Sequence, residues 1–554
     1  MRRSWTPASR AELVLLASLA AWGLFPLALL LGHALNAHAR FTGADGLIGA
    51  DGVLGADQLQ YLAWARDAGA HGLAADLFSL ASGGHVYLQP MFTISGALWR
   101  LGLPLQLAYL LWKPVAVIVL FAATLAWARR MCGEQLGARA AVVALSLFLY
   151  TPLTALVSWA TLGSGRFRFQ MYLLGYELLP ANKLWGYAPA AIGLAAVPVT
   201  LLALERARGQ GSSGVDAGGL SPRPIGAPAS APDSASAPDP ARGVANWGAL
   251  GLASLAALLA SWLHPWQGVT LLVIFAGLVA WQRLRGWRTL APPAIGAALP
   301  LVYYLVLSRS DPAWRLASHN EVVARLPVLV ILAGLGPLAV IALIGVRRPG
   351  GVMIERALLL WVPACLVSYF AVDSFAPHAL QGVSLPFAVL AVRGWRRLGL
   401  PAALGAVAIA VVTLPGMAYD ARKFVDVARS SAPQYYLTGG DARALDWVSS
   451  HAPPGGVLAP TPFAAVVPSQ TGRAVWVGHG YWSRDYSLRA READKLFGGR
   501  MRPTRARAFV RASGAALLVS DCSHRANLTH ALQGVVNAVH RFGCARVYVV
   551  RRPV

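Results

Sequence analysis

Two stretches limit what this chain can fold into: "AELVLLASLAAWGLFPLALLLGHAL" (11–35), with one acid at its start, and the uncharged "AALGAVAIAVVTLPGMA" (402–418). A membrane-spanning helix needs about 20 predominantly apolar residues, and these runs approach or exceed that length. The 554 residues are 56% hydrophobic and 13% charged, whereas soluble domains average about 25% charged. No small-residue cleavage site follows the first run, so it reads as a retained helix rather than a removed signal peptide.

Eleven apolar runs read as spans: 11–33, 105–128, 138–159, 187–205, 246–263, 267–282, 290–307, 326–345, 357–372, 379–393 and 400–419. Alternating the segments between them puts roughly twice as many Lys and Arg on one side as in the much longer loops on the other. The positive-inside rule then places the N-terminus in the cytoplasm and residues 420–554 outside a plasma (inner) membrane. The net charge of +24 raises a nucleic-acid reading. The basic residues are spread along the chain in short loops, so no nucleic-acid partner is expected; the lipid bilayer is.

The expected fold class is mainly α: a polytopic bundle over 1–419 with a small extracytoplasmic α/β domain over 420–554. Within the bundle, 34–104 is a long first outer loop. Residues 206–245 hold a Gly/Ser/Ala/Pro stretch that cannot form a core and reads as a disordered cytoplasmic linker. In 420–554, "GGVLAP", "RAVWVGH", "AALLVSD" and "ARVYVV" read as buried strands. "DARALDWVSSHAP", "DYSLRAREADKLFGG" and "RPTRARAFVRAS" read as helices. Strands alternating with helices imply an α/β layer. Cys522 and Cys544 fall in this outer domain, where disulfides persist, and form a candidate bridge. No CxxC pair supports a metal or redox centre.

The first outer loop says Gly-Ala-Asp three times, ending in Asp45, Asp51 and Asp57. A calcium repeat would need six to eight oxygens and known Gly/Asp repeats use a nine-residue period, so this six-residue spacing reads as spacer. Only Asp57 heads a helical pattern, "DQLQYLAWARD", with Leu59, Leu62 and Ala63 on one face and Tyr61 and Trp64 beside them. The expectation is an interfacial helix with Asp57 as its N-cap.

A D-Q-x-x-Y-L pattern past the first span, followed by the Pro-containing "YLQPMFTISGALWRLG" (87–102), resembles the GT-C group of integral-membrane glycosyltransferases. "GRAVWVGHG" is similar to pieces of the outer domain in bacterial members. Gln58 stands where the group more often has Glu. The resemblance implies inverting transfer of a sugar from a polyprenyl-phosphate donor to a hydroxyl of a glycan, glycolipid or protein acceptor, outside the membrane. It implies Asp57 as general base, with Gln58 and Tyr61 beside it. No metal ligand set and no certain cofactor is assigned, with a divalent cation as a candidate.

That chemistry needs groups for a lipid phosphate and a sugar. Candidates on the outer side are His85; Arg166, Arg168, Glu177 and Lys183 in the second outer loop; His264 and Trp266 in "SWLHPWQGVT"; Arg315 and His319; and His378. His479, Tyr481 and Trp482 in "VGHGYWSRDY" are candidates for acceptor glycan. Each has an ordinary alternative as a solvated loop residue or interfacial anchor. A transporter or flippase of lipid-linked sugars would want charges in mid-span, and these spans have almost none. A non-catalytic member of an envelope complex is the remaining alternative.

Overall fold

The computed structural model describes residues 9–46, 53–81, 83–209, 246–283, 286–320, 325–349, 352–429 and 434–551. Asp51 and most of the 206–245 linker lie outside them; Arg206 and Ala207 close the helix Ala188–Ala207.

Each apolar run forms helix, but fewer of them qualify as spans than the eleven expected. Among the described residues six are long and apolar enough: Arg10–Asn36 (α1), Leu105–Cys132, Ala188–Ala207, Trp287–Ser310, Met353–Ala371 and Ala402–Arg429. Two bent pairs raise the number to as many as eight. One is Leu136–Phe148 with Pro152–Trp159, where Thr151 caps a new helix whose first residue is proline. A proline is tolerated at that position and not in a helix interior, so the run breaks there. Trp247–Leu263 and Pro265–Trp281 are shorter, with Pro265 again opening the second. The tenth run yields Ser384–Arg397, only 14 residues and strongly amphipathic.

Contacts between remote segments sort the loops to two ends of the bundle. At one end Arg129 and Arg139 meet Glu12, Arg130 meets Glu205, and Arg393 meets Glu355. Arg396 joins Gln135, and Arg208 joins Gln282 and Thr289. These are the arginine-rich segments that the charge bias groups together. The opposite end carries the first outer loop and residues 434–551.

That loop folds into helices that pack on one another and on the C-terminal region. Helix α2 (Val53–His71) has Leu59, Leu62, Ala63 and Trp64 buried, packed against α3 (Pro90–Arg100). The crossing depends on two glycines: a Cβ on Gly69 would stand 2.5 Å from the Gly96 carbonyl, and one on Gly96 2.4 Å from the Ala65 carbonyl. On its other side α2 meets the C-terminal region through Val466–Thr471. One hydrophobic core runs from Leu59 and Leu62 to Val457, Leu517 and Val547. Strand β1 (Arg40–Phe41) pairs with β2 (Tyr436–Leu437), and Arg40 forms a two-pronged pair with Asp446 at 2.7 Å.

The C-terminal sheet has the order β3 (Val457–Leu458), β4 (Leu517–Ser520), β6 (Ala545–Val550), β5 (Val536–Phe542). β3 and β4 are parallel; β4, β6 and β5 are antiparallel neighbours. Helices Gly439–Ser450, Tyr486–Phe497 and Pro503–Ser513 form where periodicity predicts them, with Ala444, Leu445 and Val448 buried. "RAVWVGH" makes only an isolated bridge, Val457 to Val475. Strand β5 was not expected; its alternation is hidden by polar residues on an open face. Cys522 and Cys544 are bonded.

Asp76, in the segment between α2 and α3, is buried. One oxygen accepts the Phe78 N–H at 2.8 Å, and the other has no partner among the described residues. Burial, with Asp311 adding to it, pushes its carboxyl up to about 7. The folded state therefore holds a proton that the unfolded chain releases near pH 4. The stability this contributes is complete below pH 4 and lost as pH rises through 7. Asp76→Asn should stabilise the fold at pH 8 by at most about 4 kcal/mol, read as a higher unfolding temperature, and change it little at pH 4. An equal effect at both pH values would refute this.

Candidate functional site

A cavity of about 500 Å³ opens where the bundle meets the C-terminal region, lined by α2, α3, the 176–189 segment, the 262–269 turn, the 301–318 segment, the 372–378 loop and Tyr481–Trp482. Asp57 lies on its wall. Helix α2 begins at Val53, so Asp57 is inside the helix and not its N-cap. Its Oδ1 sits 2.8 Å from Nε2 of His479, which is 422 positions away.

The histidine is oriented from behind. Its Nδ1 accepts the Tyr481 N–H at 3.1 Å, which leaves Nε2 to carry the proton and donate to Asp57. Ser483 Oγ accepts from the Gly478 and His479 N–H groups and donates to the Phe78 carbonyl, pinning the "GHGYWS" turn onto the first outer loop. His479 is fully buried and the Asp57 side chain 24% exposed.

Gln58 serves the loop before it. Its Oε1 accepts the N–H groups of Asp45 and Gly46 at 2.5 and 2.8 Å. Its amide lies in a slot where a Cβ on Gly46 or Gly186 would overlap it. Asp45 pairs with buried Lys113 at 2.6 Å, and Lys113 also donates to the Gly23 and Leu184 carbonyls. Asp45 is therefore a structural anchor.

A second charged group lines the cavity. Glu177 accepts from Lys183 at 2.9 Å, from Gln381, and meets His378 Nδ1 at 3.3 Å. Burial alone would raise the Glu177 carboxyl, but Lys183 and His378 outweigh it and hold it well below the usual range. Burial pulls the Lys183 ammonium down from its usual value while the Glu177 charge pushes it back up, and both side chains are almost wholly enclosed.

Aromatic rings make up much of the rest. Tyr61 stacks on Phe92 and Tyr187 at 5.2 and 6.0 Å. Trp482 stands edge-on to Trp64 and Trp314 at 5.2 and 4.9 Å, and Tyr87 meets Trp314 at 4.6 Å. Trp266 donates to the Ser374 carbonyl and meets His378 at 4.7 Å. Such faces suit the C–H surface of a sugar, and the apolar remainder suits a lipid chain.

Of the residues singled out from sequence, Asp57, Gln58, Tyr61, Glu177, Lys183, Trp266, His378, Tyr481 and Trp482 line this cavity. His264 is buried beside it against Tyr187, Trp266 and His378. Arg166, Arg168, Arg315 and His319 are not among its lining residues; Arg166, Arg315 and His319 are exposed. His85 is turned to Asp67 instead, at 2.8 Å. Among the described residues one group of three metal-type ligands converges, Asp67, His71 and His85, and it lies outside the cavity lining. Trp64, Tyr87, Tyr187, Trp262, Tyr304 and Trp314 were not picked out as site residues; aromatics near a membrane surface are too common to distinguish a wall from an anchor.

No protein-family profile and no curated protein matches the chain. Among solved structures, it is similar to the archaeal oligosaccharyltransferase AglB from Archaeoglobus fulgidus in complex with an inhibitory peptide and a dolichol-phosphate. The TM-score is 0.49 at 11% identity, over 94% of this chain and 70% of that one. It is also similar to ArnT from Cupriavidus metallidurans bound to undecaprenyl phosphate, with a TM-score of 0.46 at 14% identity over 98% of both chains.

Proposed function

We propose that the chain is an integral-membrane glycosyltransferase of the GT-C kind, moving a sugar from a polyprenyl-phosphate donor to an acceptor hydroxyl on the outer face of the plasma membrane. The observation that carries this reading is the pairing of Asp57 with His479 on the wall of an aromatic cavity whose other charged group is Lys183–Glu177. The acceptor hydroxyl gives its proton to Asp57 as its oxygen bonds to the sugar's anomeric carbon. The bond from that carbon to the phosphate oxygen breaks, and the electron pair leaves with the lipid phosphate. Attack opposite the leaving group inverts the anomeric centre. His479 holds one carboxylate oxygen and leaves the other for the acceptor. Lys183 and His378 supply donors for the departing phosphate.

His479 is a positioning residue in this scheme, because it reaches the acceptor only through Asp57. The test incubates purified protein with a panel of polyprenyl-phosphate sugars and measures released lipid phosphate. The expected result is release from at least one donor, with kcat about 10-fold lower in His479→Ala, KM little changed, and partial recovery in His479→Gln, which keeps a donor. Equal kcat in all three chains would remove His479 from the mechanism. Absence of release across the panel would count against the reaction.

A further inference from the structure

Asp67, His71 and His85 form a second polar cluster that the proposed reaction does not use. Asp67 and His71 stand four residues apart on α2, on one face of the helix. His85 is brought back by the antiparallel bridge between Ala74 and Tyr87, closed by three backbone hydrogen bonds. Both imidazoles aim Nδ1 at the same carboxylate. His71 lies 2.9 Å from Oδ1 and His85 2.8 Å from Oδ2, with the rings stacked 3.9 Å apart. The Asp67 side chain is 3% exposed, while the two histidines are half-open to solvent. The other partner of the carboxylate is the Ala75 N–H at 2.7 Å.

We infer that Asp67, His71 and His85 bind a divalent transition ion of the zinc class. A carboxylate as buried as that of Asp67 needs positive charge beside it, and both imidazoles already aim a ring nitrogen at it. A zinc ion bound to the Nδ1 lone pairs, with each ring's proton on Nε2, supplies that charge directly. Two imidazole nitrogens and one carboxylate oxygen are a known zinc donor set, and water completes the shell from the exposed side. Ligand atoms sharing one zinc stand about 3.3 Å apart, and one donor atom from each of the three residues already lies within 4.8 Å of the others. Imidazole donors favour zinc over calcium or magnesium.

Bound zinc would fasten the end of α2 to the segment that carries Tyr87 and Gln89 into the cavity wall. The site does not rest on the proposed reaction, and its test does not measure activity. Full-length protein in detergent is stripped with EDTA and dialysed against ZnCl2, alongside a His71→Asn/His85→Asn chain. The expected result is about one more zinc retained per wild-type chain than per variant, with a zinc-dependent rise in unfolding temperature seen only in the wild type. Equal retention, a rise that persists in the variant, or an equal rise with CaCl2 would overturn the site. The unfolding temperature of the stripped variant, compared with stripped wild type, reports whether the substitutions themselves disturb the fold.

Discussion

Asp57→Asn should leave the protein folded and inserted while lowering sugar transfer by about 10²–10⁴-fold, the usual contribution of a positioned general base. Asparagine keeps the shape of the side chain, and its carbonyl oxygen can still accept from His479 Nε2, so the 2.8 Å contact need not be lost. What disappears is an oxygen able to take the acceptor proton. The loss should therefore fall on kcat rather than on donor affinity. Single-turnover transfer with the identified donor, compared at equal membrane expression and unfolding temperature, checks it. Activity within a factor of a few of wild type would exclude Asp57 as the base, whatever the fate of the rest of the scheme.

The second large effect concerns stability. Lys183→Met removes the cation from an enclosed pair, leaving Glu177 with His378 and Gln381 as its remaining partners. Breaking a buried ion pair from one side costs about 3–5 kcal/mol, because the remaining charge is left uncompensated. A sharp fall in unfolding temperature is expected. The double variant Lys183→Met/Glu177→Gln should recover most of it, since neither group is then charged. If Lys183 also meets the leaving phosphate, the double variant regains stability without regaining transfer. A single variant as stable as wild type would show that Glu177 is not held ionised by Lys183.

The repeated Gly-Ala-Asp motif shows where sequence reasoning stops. Asp45, Asp51 and Asp57 look equivalent in the chain. Helical periodicity after Asp57 separates it from the others, and that distinction survives in the cavity. The partners do not follow from any local pattern: Asp45 is paired with Lys113 from the helix Leu105–Cys132, and Asp57 accepts from a histidine in the C-terminal region. His85 and the second-loop arginines were reasonable phosphate ligands by charge and side of the membrane. The antiparallel bridge that turns His85 toward Asp67 comes from a backbone pairing with no residue signature.

By itself, the sequence determined the apolar runs that become helices, their segregation of basic loops, the C-terminal region of strands and helices, the Cys522–Cys544 pairing option and the candidate acid at Asp57. These follow from composition and period, which act over a few turns of chain. Only the tertiary structure decided that the first outer loop and the C-terminal region share one core, and that His479 reaches Asp57. It also decided that Glu177, Lys183, His378 and Gln381 converge. Such contacts are selected by side-chain shape and close packing across hundreds of residues, as at Gly69 and Gly96, and neither periodicity nor charge encodes which surfaces will meet.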